Sequence, residues 1–142
     1  MSYVILPFEG LSEITFGMTS KEVKKFLGKP VLTEIDDIME EIRETSSGMV
    51  LTYIEKRLSD IEISPSVEAT VFDTDLFKHT AINDLLKTRS KDFHEYREYV
   101  NFRDLGIITC GFNKHKTKNK KQVTIYSKDR VPFYDSFMNV FI

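Results

Sequence analysis

Between Ile14 and Pro30 the chain reads ITFGMTSKEVKKFLGKP, and this stretch fixes one helix from both ends. Thr19 is an N-cap whose hydroxyl accepts from the amide of Glu22, while the Glu22 carboxylate reaches back to the amide of Thr19. That reciprocal pair is a capping box. Val23, Phe26 and Leu27 then share one helical stripe, with Lys21, Lys24 and Lys25 on the wetter side. Gly28 suits the left-handed residue after the last turn, and Pro30 blocks continuation. The pattern predicts a helix from about Ser20 to Leu27 that must lay its stripe on something larger. It carries no nucleophile, no metal-ligand pair and no phosphate-cradling loop.

The surface under that helix is read from the strand patterns. Tyr3 to Phe8 is a short apolar run ended by Pro7 and Gly10, an edge strand or an extended arm, and Leu11 to Phe16 leads into the helix. Val31 to Ile35 reads as a connection with room for a further short element. Asp37 to Glu44 alternates with a two-residue period, although IMEEIRE also fits a short helix. Strand is preferred because Thr45, Ser46, Ser47 and Gly48 read as a hairpin loop into a further strand. That strand, Met49 to Glu55, is apolar on both faces and so central. Lys56 and Arg57 turn the chain into Leu58 to Ile63. Ser64, Pro65 and Ser66 then break it before Val67 to Phe72, which reads as another strand or a bridging segment.

The second half repeats this plan loosely. Leu76 to Lys87 is a helical pattern with Leu76, Ile82, Leu85 and Leu86 as its stripe. Asp92 to Val100 fits strand or helix. Leu105 to Phe112 is a strand, and Gln122 to Ser127 is its hairpin partner. Phe133, Tyr134, Phe137, Met138, Val140 and Phe141 form an apolar tail dense enough to pack. Val23, Phe26 and Leu27 align with Ile82, Leu85 and Leu86 at an offset of 59, and Gly48 aligns with Gly106 at 58. The two offsets suggest an internal duplication into halves 1–73 and 74–142. The expectation is a single α+β domain, with two helices packed on one face of an antiparallel sheet.

Composition bounds the function classes. A chain of 142 residues, 41% hydrophobic and 30% charged, suits a single globular domain with a real core. No apolar run is long enough to span a bilayer as a helix. MSYVILPFEG lacks the basic segment and cleavage site of a signal peptide, so a cytoplasmic, non-membrane protein is expected. Cys110, the only cysteine, sits in the apolar run ITCGF and reads as a small buried hydrophobe.

Groups able to do chemistry are sparse. His79, His94 and His115 form no i, i+4 pair, and with one cysteine no metal site or cofactor is expected. His94 beside Glu95 is the nearest approach to an acid–base pair and defines an enzyme alternative. Ser12, Ser20, Ser46, Ser47 and Ser66 lack a nucleophile-elbow context. Lys114, Lys116, Lys118, Lys120 and Lys121, with Phe112 and Tyr126 nearby, define a second alternative, a nucleic-acid module that neutralises phosphates and stacks on bases. No catalytic residue is assigned.

The net charge of −2 conceals one acidic stretch: Glu34, Asp36, Asp37, Glu40, Glu41 and Glu44, relieved only by Arg43. If Ile38 and Ile42 face the helix, then Asp37, Glu41 and Arg43 point to the other face of the sheet. Tyr53 and Glu55 on the neighbouring strand join them there. A tyrosine among carboxylates supplies contact area, and the charges steer a basic partner.

The residues GMTSKEV at 17–23, followed by LGKP at 27–30, resemble a signature of β-lactamase-inhibitor-protein-like domains and of small outer-membrane assembly lipoproteins. The resemblance implies helices on one face of an antiparallel sheet, sometimes in tandem halves, with the other face free to grip a protein. This chain lacks the lipidation cysteine of the lipoproteins and the paired cysteines of the secreted inhibitors. A small acidic version of such a domain is similar to the immunity proteins of bacterial polymorphic-toxin and contact-dependent inhibition systems. The resemblance therefore implies a non-enzymatic protein that binds and neutralises a basic toxin domain, such as a nuclease, by occlusion. It transfers no site residue, because the matched positions are helix caps.

Overall fold

The computed structural model describes residues 2–78, 81–113 and 121–140, the last four by backbone alone. Strands β1 (Ser2–Leu6), β2 (Gly10–Leu11) and β3 (Ile14–Thr15) lead into α1 (Ser20–Leu27). A four-stranded run follows: β4 (Leu32–Asp36), β5 (Glu41–Ser46), β6 (Met49–Ile54) and β7 (Arg57–Ile63). Strands β8 (Glu68–Val71) and β9 (Thr74–Asp75) precede α2 (Ile82–Arg89). A second run contains β10 (Phe93–Tyr96), β11 (Tyr99–Phe102), β12 (Ile107–Cys110) and β13 (Gln122–Tyr126). A 3-10 turn at Lys128–Arg130 then opens α3 (Val131–Val140).

Helix α1 forms where its caps predict. The Glu22 amide donates to Thr19 Oγ1 at 3.3 Å, and the Thr19 amide donates to Glu22 Oε1 at 3.1 Å. The Thr19 amide first, and the Thr19 hydroxyl donating to the same carboxylate second, hold the Glu22 carboxyl below its usual range. At the other end Gly28, at φ 75°, donates its amide to Lys24 O at 2.8 Å. The stripe is narrower than its sequence suggests. Val23 is buried and Leu27 packs against the core, but Phe26 is 45% exposed.

Eight strands form one sheet in the order β10-β11-β12-β13-β7-β6-β5-β4. Each half of the chain supplies one antiparallel meander, and their last strands pair, Ile63 with Val123 and Asp60 with Tyr126. Five strands form a smaller sheet, β3-β2-β1-β8-β9, in which β1 and β8 run parallel. Strand β1, expected at an edge or as an arm, is its middle strand. Ile5, Leu11, Ile14, Ala69 and Val71 of the smaller sheet share one core with Leu51, Ile61, Ile63, Val100, Ile107 and Val123 of the larger.

The expected α+β layout, helices covering one face of a single sheet, is therefore corrected. Among the described residues the protein is mostly β, with thirteen strands in two sheets and three helices of eight to ten residues. The reason lies in segments expected only as an edge strand or arm, a lead into the helix and a strand or bridge. Residues 2–15 and 68–75 build the second sheet, which supplies much of the cover the helices were expected to give. The helices also take both sides of the larger sheet. Ser20 of α1 hydrogen-bonds Glu44, and Thr109 Oγ1 donates to Asn83 Oδ1 of α2 at 2.5 Å, both on the core side. Tyr134 of α3 donates to Asp60 on the opposite side. Ile61 and Ile63 alternate with Asp60 and Glu62, so one face of β7 is apolar and sealed and the other polar and partly open.

Candidate functional site

The register of β4, β5 and β6 sorts the acidic patch. Ile42 is paired with Tyr53 and Glu41 with Ile54, so Tyr53 lies on the side of Ile42, opposite Glu41 and Arg43. Tyr53 is 1% exposed. Its ring fills the core beside α1, where burial first and the Glu44 carboxylate second push the phenol well above its ordinary range. Tyr53 is thus corrected from a contact residue to a core residue. Ile38, expected to face the helix, is 93% exposed, because 37–40 are the turn between β4 and β5 and not strand.

Asp37, Glu41 and Glu55 do come together. With Ile35, Asp36, Glu40, Ile42 and Lys56 they line a cleft of about 440 Å³ at the tips of two adjacent hairpins. The Asp36 carboxylate makes the first turn, accepting from the amides of Ile38 and Met39 at 3.1 Å each. That is an Asx-type turn, in which a side chain replaces a backbone acceptor. Glu40 closes it in the left-handed region at φ 52°. The second turn, Glu55-Lys56, has both residues left-handed, the geometry that matches strand twist in a two-residue hairpin. The Glu55 amide donates to Glu40 O at 3.1 Å and joins the two turns.

Around this cleft Val31, Leu32, Ile35, Ile38 and Met39 stand exposed along β4 and its turn. Residues 31–41 hold Glu34, Asp36, Asp37, Glu40 and Glu41, and no lysine or arginine. Large apolar side chains among like charges form a surface that attracts cations and gains by losing water. This strand is the short element for which the connection at Val31 to Ile35 left room. The signals present were the alternation of Leu32, Glu34 and Asp36 against Val31, Thr33 and Ile35, and the turn-forming Asp36.

Arg43 projects instead into a shallow trough of about 300 Å³ on the polar face of the large sheet, lined also by Thr52, Asp60, Glu62, Tyr99, Gln122, Thr124 and Tyr134. Helix α3 closes one end. The Asp60 carboxylate accepts from Arg130 Nε at 2.9 Å and from the Tyr134 hydroxyl. Arg103 donates from Nε and Nη2 to Asp135 at 2.6 and 2.8 Å and from Nη1 to Asp92, and these carboxylates raise its pKa.

The remaining sequence candidates are dispersed. His94 Nε2 lies 3.1 Å from Asp92 Oδ1 on an exposed strand, where Asp92 also serves Arg103. Glu95 pairs with Lys87 at 2.7 Å. Cys110 is buried in β12, and burial pushes its thiol up. Among the described residues no group of three or more His, Cys, Asp or Glu is placed to hold a metal ion. His79, His115, Lys114, Lys116, Lys118, Lys120, Phe141 and the side chains of Phe137, Met138 and Val140 lie outside the described residues, while Lys121 sits over the Phe112 ring at 5.1 Å. No family model, curated protein or solved structure matches the chain.

Proposed function

We propose that this chain is a protein-binding inhibitor of the immunity type, which occludes a basic bacterial toxin domain through the acidic, apolar rim of β4 and the two hairpin turns. One observation carries the reading: Ile35, Ile38 and Met39 are exposed together, beside a cleft lined by Asp36, Asp37, Glu40, Glu41 and Glu55. Exposed apolar groups grouped on a rim mark interaction sites. Carboxylates around them favour a cationic partner and speed its approach. The strands and turns carrying the patch are tied to one another by backbone hydrogen bonds, so little ordering cost falls on binding.

The test is co-expression with the product of the adjacent gene, followed by affinity capture at moderate salt. A stoichiometric basic partner, lost when Ile38→Glu is introduced, is the expected result. Because Ile38 is 93% exposed, that change leaves folding stability within about 0.5 kcal/mol of wild type. Burying an isoleucine side chain in an interface is worth about 1.5–3 kcal/mol, so the same change weakens binding by roughly ten- to a hundredfold. Recovery of the chain alone, or protection of cells that survives both Ile38→Glu and Asp37→Lys, rejects the reading.

A further inference from the structure

The manner in which the partner is held can be taken further, resting on the reading just given. β4 ends the order of the large sheet, and β5 is its neighbour on one side. The Val31 amide donates to Thr45 O at 2.8 Å, so the Thr45 carbonyl points toward β4. In an antiparallel ladder alternate residues then follow suit. Thr45, Arg43 and Glu41 face β4, and their partners Leu32, Glu34 and Asp36 face β5. Thr33 and Ile35 are left with backbone amides and carbonyls directed away from the sheet.

Protein edges are ordinarily blunted by lysine, proline or a bulge within the strand. Leu32–Asp36 contains no lysine, proline or glycine, and its Leu32 and Ile35 side chains are exposed. A second copy of this chain is a poor occupant. Antiparallel registers centred on Glu34 or Ile35 set Glu34 opposite its own counterpart or opposite Asp36, where like charges destabilise a sheet, and the register centred on Thr33 pairs only Leu32 to Glu34 within the strand. A strand alternating cationic and apolar residues answers both features. We propose that β4 accepts such a basic strand from the partner protein, extending the large sheet by main-chain hydrogen bonds, with Ile35 and Leu32 covered on its two faces and Glu34 and Asp36 meeting lysine or arginine.

The experiment uses a fluorescent heptapeptide of alternating lysine and isoleucine, the same peptide N-methylated along one edge, and the full chain as wild type and Thr33→Pro. Proline at an outward-facing edge position removes a donor aimed at the partner and spares the internal ladder. Fluorescence polarisation at physiological salt is expected to show binding of the unmethylated peptide. N-methylation, or Thr33→Pro in a chain with unchanged circular dichroism, weakens it about tenfold or more. Equal binding of both peptides to wild type overturns the proposal as mere charge attraction, and this arm does not depend on how the proline variant folds. No binding of the unmethylated peptide overturns it too, as does a wild-type dimer that Thr33→Pro converts to monomer. Capture of the adjacent gene product separates the two levels. Partner held by wild type and lost by Thr33→Pro supports added-strand binding. Partner held equally by both leaves the immunity reading standing and removes the added strand. Partner held by neither removes both.

Discussion

Asp60 is the carboxylate on which the C-terminal helix stands, and its removal has a calculable cost. The Asp60 and Arg130 side chains are 7% and 16% exposed, and Arg130 Nε lies 2.9 and 3.3 Å from the two carboxylate oxygens. The Tyr134 hydroxyl donates to the same group, and its ring stacks 4.5 Å from that of Tyr126. Asp60→Ala strands a guanidinium and a phenol together in a space shielded from water. Breaking a buried pair from one side costs about 3–5 kcal/mol. Asp60→Asn keeps the shape and one good acceptor but loses the charge, for about 1.5–3 kcal/mol. Arg130→Met leaves the carboxylate with Tyr134 alone and falls in the upper range. The double variant Asp60→Asn/Arg130→Met has no orphaned charge, so it is less damaging than the sum of its parts, with a coupling of about 1–3 kcal/mol. Urea unfolding measures each value as a shift in midpoint at constant slope. Against a typical total of about 5–15 kcal/mol, Asp60→Ala brings a domain of this size near its margin. A loss below about 0.5 kcal/mol for Asp60→Ala, or strict additivity in the cycle, refutes the anchoring role.

Two other perturbations follow from the same geometry. Lys56 occupies the left-handed region at φ 69°, which disfavours a residue with a Cβ by about 1–2 kcal/mol. Lys56→Gly relieves this, and after the added freedom of the unfolded glycine a net gain of about 0.5–1 kcal/mol in urea stability is expected; a loss contradicts the turn geometry. Burial raises the phenols of Tyr53, Tyr126 and Tyr134, reinforced by Glu44, Asp135 and Asp60 respectively. Groups held neutral in the folded state contribute stability fully below the unfolded value of about 10, and that contribution is lost as pH rises above it. The urea midpoint should fall from about pH 10 upward, with a shallower fall in Tyr53→Phe; a midpoint flat to higher pH, or a fall unchanged in Tyr53→Phe, refutes the assignment.

Local chemistry was legible wherever it was complete. α1 has a cap at each end and a stripe between, and it begins and ends at the predicted residues. β6, β7 and the β12–β13 hairpin announce themselves through β-branched runs bounded by turn residues. The helical pattern starts at Leu76 but α2 begins at Ile82, because its N-cap position is Ala81, which makes no side-chain capping bond and leaves no mark in the sequence. The smaller sheet is only partly legible, its β1 and β8 as possible strands and the rest not at all. β2, β3 and β9 are two residues long, too short to show any period, and they exist through tertiary pairing such as Ile5 opposite Leu11. Tyr53 was misplaced because its side follows from register, which a turn sets elsewhere in the chain.

Ile38 marks where the reading failed most informatively. Alternation over 37–44 made it a core residue, and by composition it belongs in a core. The chain instead places it at the apex of a turn held by Asp36, between Asp37 and Met39, where it stands 93% exposed. A turn built only for folding would carry glycine, asparagine or a charge at that apex, since an exposed isoleucine gains nothing in the isolated protein and invites association. Local rules and global placement agree across most of this chain and part company here, on residues adjacent to the unblunted edge of β4. Sequences that fold well break their own local rules chiefly where another requirement acts. A second molecule that covers Ile38, Met39 and Ile35 removes the conflict, because the same side chains then sit in a core shared between two proteins. Removing that conflict by Ile38→Asn should therefore leave the free protein folded and less prone to self-association, while weakening capture of the partner. If capture is untouched, the apex isoleucine has no role in binding and the rim loses its central anchor.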